Sequence, residues 1–248
     1  MDVKSYVERI NYQGSTDPTP ETLCALHRAH LLAVPFENLD IPLKRPIVLD
    51  KELLFDKIVN RRRGGFCYEL NGLFSALLRE MGFNVQRLSA RVANAEGEFG
   101  MEFDHMTLLV QFEERFLADV GFGESFIEPL RLDERGEQVQ QRGRYRISQD
   151  HEHLTYLWQE KPGWRAQYMF TLQPYSLVDF QDACDWTRTS PLSSFTQRRI
   201  CSLATPDGRI TLSDMRWIVT TNGNRQEREV ESEAEYDDIL REHFGIVL

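Results

Sequence analysis

Arg61-Arg62-Arg63-Gly64-Gly65-Phe66-Cys67-Tyr68-Glu69-Leu70 sets a cysteine directly behind a glycine pair and a basic run. The glycines permit a sharp turn and close approach of the backbone to a ligand. Apolar residues at 70, 73, 74, 77, 78 and 81 follow at helical spacing, so Cys67 falls in the first turn of an amphipathic helix. A thiolate there meets unpaired backbone N–H groups and the positive end of the helix dipole. Neighbouring arginines would favour the anion further, and the thiolate is the nucleophilic form of cysteine. Two readings stay open from this segment alone, an activated thiol and a small packing cysteine. Cys24, Cys184 and Cys201 lack the glycine turn and the basic flank and read as packing residues.

A cysteine nucleophile needs a base, usually histidine, and a third group to orient it. His27 and His30 lie on a helical pattern with Leu23 and Leu26, where a core or surface role fits, and His243 sits near the C-terminus. His105 opens the apolar run His105-Met106-Thr107-Leu108-Leu109-Val110, and Asp119 lies near the end of Arg115-Phe116-Leu117-Ala118-Asp119-Val120-Gly121. A hairpin between these runs would bring both residues to one open end of adjacent strands. A carboxylate in an apolar strand is costly unless paired, and a histidine would supply the pair. A two-residue turn at Glu113-Glu114 puts Asp119 opposite Leu108, about 10 Å along the strand from His105. A bulge or another register must close that gap. Asp104 adjoins His105, but consecutive strand residues point to opposite faces.

These residues need elements to hold them, and the chain divides by pattern into three stretches. To about Phe83 it reads as helical: Thr19-Pro20-Glu21 opens one helix that Val34-Pro35 closes, Asp50 caps a second, and Gly82 ends the helix that begins at Cys67. From Asn84 short apolar runs replace the helical period. They lie at 85–92, 106–112, 116–120, 145–147, 154–158 and 166–172, and suggest a barrel or sandwich. The last stretch carries turn signals at Asp207-Gly208 and Asn222-Gly223, then a helix start at Ser232 with Glu235 three residues on.

The chain has 248 residues, 41% of them hydrophobic, and a net charge of −10, enough for a large core and unfavourable for a nucleic-acid partner. No N-terminal signal pattern and no apolar run of about eighteen residues is present, which predicts a cytoplasmic chain with no membrane partner. The four cysteines form no disulfide framework and no Cys-x-x-Cys pair, and the lone His151-x-His153 reads as a strand edge, so no metal is expected. Gly121-Phe122-Gly123-Glu124-Ser125 lacks the third glycine and the following helix of a nucleotide loop.

Taken together, five ordered segments resemble the arylamine N-acetyltransferase family. They are Val34 to Leu39; Arg63 to Asn71; His105 to Leu109; Asp119 to Gly123; and Thr189-Ser190-Pro191 with Ser193-Ser194-Phe195, followed by Thr205-Pro206-Asp207-Gly208. The resemblance implies an α+β protein with a cysteine-protease-like core: a helical domain (1–83), a β-barrel domain (84–186) and an α/β lid (187–248). It implies a Cys67-His105-Asp119 triad, acetyl-coenzyme A as acyl donor and an arylamine or arylhydrazine as acceptor. By the same matching Phe36, Phe122 and Phe126 line the acceptor pocket, Phe195 faces the coenzyme, and Asn71 supports the triad. Glu37 and Arg63 pair at the helix start, a contact worth little if it lies at the surface. Arginines 61 to 63 fit either coenzyme phosphates or a solvated helix end with one structural pair. The same triad chemistry also serves papain-like peptidases, transglutaminases and amide synthases, and a ligand-binding relative without turnover would keep the fold. Ping-pong kinetics through acetyl-Cys67 are expected, with the backbone N–H of Cys67 facing the oxyanion.

Overall fold

The computed structural model describes residues 1–160 and 163–248. In chain order its elements are α1 (Val3–Arg9), α2 (Pro20–Ala33), β1 (Phe36–Glu37), α3 (Lys51–Phe55), which widens into a π-helical turn at Asp56–Asn60, and α4 (Cys67–Glu80). The strands β2 (Asn84–Val92), β3 (His105–Gln111), β4 (Arg115–Ala118), β5 (Leu130–Arg131), β6 (Gln138–Gln140), β7 (Gly143–Asp150), β8 (His153–Glu160) and β9 (Gly163–Tyr175) follow. Then come α5 (Gln181–Thr189), α6 (Ser194–Gln197), β10 (Ile200–Thr205), β11 (Gly208–Ser213), β12 (Arg216–Thr221), β13 (Asn224–Glu229) and α7 (Glu233–Phe244).

The local signals explain the helix starts. Thr19 caps α2 through the N–H of Thr22, Asp50 caps α3 through Glu52 and Leu53, and Ser232 caps α7 through Glu235. α4 departs from its expected amphipathic form: residues 67 to 78 are all buried. Its apolar face, with Leu70, Leu73, Phe74 and Leu77, packs on α1, α2 and the face of β3 and β4 turned away from the barrel interior. Full burial of one such leucine contributes roughly 1.5–3 kcal/mol. Its polar stripe is buried as well because every member has a partner, Glu69 on Lys57, Asn71 on Asp119 and Ser75 on Arg87.

β2 to β9 form one antiparallel sheet in the order β5-β4-β3-β2-β9-β8-β7-β6, wrapped around a core that includes Leu88, Leu117, Phe126, Tyr145 and Tyr168. The barrel is nearly closed. Its edge strands meet through glutamine side chains: Gln138 bonds both N–H and C=O of Arg131, and Gln140 accepts from Ile127 and Glu128 and donates to the Glu128 carbonyl. Those amides satisfy backbone groups that an open edge would expose.

The second sheet runs β1-β10-β11-β12-β13, so the helical stretch supplies an edge strand to the final one. Asn222 and Gly223 both take positive φ, the requirement of the tight β12–β13 turn. The β10–β11 turn falls on Pro206-Asp207, one residue before the expected pair. One face of this sheet packs Cys201 and Leu212 against Tyr236, Ile239 and Leu240 of α7. No helix among the described residues is long and apolar enough to cross a membrane.

Candidate active site

Cys67 is the first residue of α4. The glycine pair before it answers to space: a Cβ at Gly64 would lie 1.9 Å from the Pro35 carbonyl oxygen, and one at Gly65 would lie 2.7 Å from Glu69 Oε2. The expected approach of backbone to ligand is thus an approach to backbone at Gly64 and to the Glu69 side chain at Gly65. Gly65 accepts from the Glu37 N–H at 2.8 Å, which fixes the turn against β1. Glu69 Oε2 accepts from the Phe66 N–H at 3.2 Å and closes the helix start.

His105 opens β3 and Asp119 directly follows β4, both almost fully buried. Their ladder pairs Leu108 with Ala118 and Gln111 with Arg115. The loop holds three residues, with Phe112 N–H bonded to the Glu114 carbonyl, and the two-residue turn is corrected. Continued by one residue, this register sets Asp119 level with Thr107. Thr107 shares a strand face with His105, so a slip of one position restores both side chains to one side. His105 Nε2 and Asp119 Oδ2 meet at 2.7 Å. Nδ1 is the ring nitrogen left over.

Asp119 is held from all sides. Asn71 Nδ2 donates to its Oδ1 at 2.8 Å, and the Gly121 N–H donates to the same oxygen at 2.9 Å. Asn71 also donates to the Met106 carbonyl and accepts from the Val120 N–H, tying α4 to β3 and to the loop after β4. Burial pulls the Asp119 carboxyl upward, but His105 and these donors outweigh it and hold it below its ordinary value. Gly121 is required by contact, since a Cβ there would sit 2.7 Å from Cys67 Cα. His27, read from sequence as a core or surface residue, is a buried neighbour of the site. Its Nδ1 lies 2.9 Å from the Ile127 carbonyl oxygen, and its Nε2 can accept the Asp119 backbone N–H at 3.1 Å. Burial lowers its pKa to about 4, so the ring is neutral. His30 is paired with Tyr6, and His243 stacks on Trp217 at the far end of the second sheet.

The electrostatics around Cys67 differ from the expected basic flank. Arg61 pairs with Asp56, Arg62 is exposed, and Arg63 turns inward, so none of the three lines the cavity at Cys67. Burial pushes the Cys67 thiol well above its ordinary value, and the nearby carboxylates push in the same direction. A thiolate at Cys67 therefore needs a cationic counter-ion.

The Glu37–Arg63 pair lies in the interior. Arg63 Nη2 reaches Glu37 at 2.8 Å and Asp40 at 3.2 Å, and Lys57 Nζ lies 2.7 Å from both Asp40 and Glu69. Burial would raise Asp40, but Lys57 and Arg63 hold it below its usual range. Lys57 and Asp40 carried no signal in the sequence beyond ordinary charge.

Above Cys67 lies a cavity of about 540 Å³, lined among others by Phe36, His105, Gly121, Phe122 and Phe195. Phe122 packs edge-on to His105, with ring centres 5.1 Å apart. Phe195 contacts Phe36 and Phe66, and Asn38 fixes the segment around it through the carbonyls of Phe195 and Arg198. Phe126 is the exception among the expected aromatics. It is fully buried in the barrel core, stacked on His27 with centres 5.7 Å apart, and does not reach the cavity. A second lobe of about 500 Å³ adjoins the first across Phe36, Phe122, Phe195 and Arg198 and extends over the second sheet. Among the described residues no cluster of side chains is suited to hold a metal ion.

Residues 19–248 match the N-acetyltransferase family profile. The arylamine N-acetyltransferase of Escherichia coli K12 is 34% identical over 245 residues, covering 97% of this chain and 87% of that protein. The structure of arylamine N-acetyltransferase from M. tuberculosis superposes with a TM-score of 0.92 at 34% identity, covering 99% of this chain and 94% of that one. The Mycobacterium marinum enzyme in complex with CoA superposes with a TM-score of 0.91 at 34% identity, covering 99% and 93%.

Proposed function

The chain belongs to the arylamine N-acetyltransferase family, and on that premise we propose that it moves an acetyl group from acetyl-coenzyme A to the nitrogen of an arylamine or arylhydrazine through acetyl-Cys67. The observation that carries the reading is the buried His105–Asp119 pair, 2.7 Å between heavy atoms, with His105 and Cys67 both lining one aromatic cavity. Peptide and glutamine substrates lose their support with the family assigned.

The Cys67 proton passes to His105 Nδ1, because Nε2 is engaged by Asp119. Asp119 stabilises the resulting imidazolium and fixes the ring. The thiolate attacks the acetyl carbonyl, and the tetrahedral oxyanion faces the Cys67 N–H, which as the first helical N–H has no partner in the α4 ladder. The carbon–sulfur bond to the coenzyme breaks, and the departing thiolate takes the proton from His105. A neutral amine then attacks acetyl-Cys67, gives its proton to His105, and releases the amide and free Cys67. Phe36 and Phe122 offer apolar faces to a flat acceptor. In this reading residues 1–83 carry the nucleophile, 84–186 the base and its acid, and 187–248 the cover. The donor is a cytoplasmic metabolite, and we place the enzyme there, acting on small molecules and not on nucleic acid or membranes.

Intact-mass analysis after incubation with acetyl-coenzyme A alone should find one acetyl group on the wild type and none on Cys67→Ala. Added arylamine should remove it. Turnover that proceeds only with both substrates present, with no acetyl-enzyme, would overturn the mechanism.

A further inference from the structure

Residues 119 to 127 follow β4 with no helix or strand of their own. The segment holds the acid Asp119, Gly121 against Cys67, the cavity wall Phe122 and the barrel ring Phe126. The β3–β4 ladder ends at Ala118, so the N–H of Asp119 needs another acceptor.

Both ends of the segment meet one imidazole from α2. His27 Nδ1 lies 2.9 Å from the Ile127 carbonyl oxygen, and Nε2 lies 3.1 Å from both the backbone nitrogen and the carbonyl oxygen of Asp119. A carbonyl oxygen only accepts, so Nδ1 carries the proton. In a neutral ring Nε2 is then an acceptor, and its partner is the Asp119 N–H. One tautomer satisfies both ring nitrogens. Donation to the Asp119 carbonyl as well would need a second proton on a fully buried ring, and burial opposes that charge. The ring is itself fixed by packing. Phe126 stacks on it with centres 5.7 Å apart and planes 14° apart, and Phe74 of α4 meets it edge-on at 6.1 Å. The helix that begins with Cys67 thus braces the residue that holds Asp119. Both side chains that the segment sets against His105 depend on its two ends, Asp119 Oδ2 at 2.7 Å from Nε2 and the Phe122 ring with its centre 5.1 Å from the imidazole.

We propose that His27 is a positioning residue for acetyl transfer: its neutral ring staples the two ends of segment 119–127, and so sets both the orientation of Asp119 toward His105 and the place of Phe122 in the acceptor wall. The role rests on the acetyl-Cys67 mechanism above. His27 does not line the cavity and takes no part in moving the proton.

His27→Leu removes both bonds and keeps the core apolar, whereas His27→Gln still offers one carbonyl acceptor and one N–H donor. In a ping-pong reaction kcat/KM for the donor reports the first half-reaction and kcat/KM for the amine the second. Per folded molecule, His27→Leu should lower kcat/KM for acetyl-coenzyme A about tenfold through Asp119, and that for the arylamine about a hundredfold because Phe122 shifts as well. His27→Gln should recover most of both losses. Alkylation of Cys67 by iodoacetamide as a function of pH reads the thiolate with no acyl substrate present. The reactive fraction near neutral pH should shrink in His27→Leu and return in His27→Gln. Should His27→Leu fail to fold, His27→Phe keeps a ring without the bonds and takes its place. A lower Tm with wild-type rates and a wild-type alkylation profile per folded molecule would reduce His27 to a core residue and overturn the proposal. Nitrogen-15 shifts that put the His27 proton on Nε2 in the wild type would overturn it too. A wild type that transfers no acetyl group would instead sink the acetyltransferase reading, and the alkylation profiles would still decide the role of His27.

Discussion

Two buried sets of charge flank the first turn of α4, and they are built on opposite plans. On one side Glu37, Asp40 and Glu69 are saturated by Lys57 and Arg63, with contacts down to 2.7 Å and no route to the cavity. On the other side Asp119 is balanced by a histidine and by neutral donors, Asn71 and the Gly121 N–H. The first set is built on two cations, Lys57 and Arg63, whose buried carboxylate neighbours favour their charged forms. The second contains a ring whose charge appears only when a proton arrives, and that ring lines the nucleophile's cavity. Both sets meet the desolvation cost of burial, but one uses it to hold a turn and the other to hold a proton acceptor in place. The shared helix explains why α4 is buried all round yet carries polar residues.

The comparison predicts that the two sets fail differently. Cys67→Ala should abolish acetyl transfer, a loss of about a thousandfold or more, with little change in thermal stability; residual turnover near wild type would remove Cys67 from the chemistry. Asp119→Asn should lower kcat on the order of 10³- to 10⁴-fold by favouring the wrong tautomer, while donor binding persists. Lys57→Met should reverse the balance between folding and activity. It leaves Glu69 buried without its cation and Asp40 with its arginine partners alone, at a cost of roughly 3–5 kcal/mol in denaturant unfolding, with kcat per folded molecule largely retained. A fall in kcat without loss of stability would make the outer network part of the catalytic machinery. Phe122→Ala should raise KM for the arylamine roughly 10- to 200-fold, on the order of 1–3 kcal/mol of lost contact, whereas Phe126→Leu should lower stability with little change in KM.

The smallest effect concerns His27. Its folded pKa is about 4 against an ordinary 6.5, so below pH 6.5 the unfolded chain binds a proton that the folded chain refuses. The stability that neutral His27 contributes is complete above pH 6.5 and is lost as pH falls from 6.5 to 4. His27→Gln should flatten the dependence of Tm on pH across that window, by on the order of 1–3 kcal/mol in unfolding free energy. An unchanged slope would assign the acid sensitivity to other groups, Asp119 and His30 first.

What could be read before any coordinates were known was local. Helix caps, the tight turn at Asn222-Gly223 and the change of period near residue 84 follow from propensity and spacing within a few residues of each other. The candidate nucleophile, base and acid could be picked out by residue type and by their resemblance to one family. The tertiary structure decided the rest because the remaining facts are distances between segments far apart in the chain. The β3–β4 register depended on one extra loop residue, which local turn rules misjudged and which decides whether His105 and Asp119 share a face. Phe126 looks like Phe122 in sequence, and only the packing of the barrel separates a core ring from a cavity wall. Lys57 and Asp40 carry no more than ordinary charge in the sequence, and only the fold sets Lys57 between Asp40 and Glu69. His27 reads as a core or surface residue until the fold sets its ring between Asp119 and Ile127. Sequence specifies which groups are present and their local geometry. Burial and pairing, which set their charge and their reach, come from contacts that only the folded chain makes.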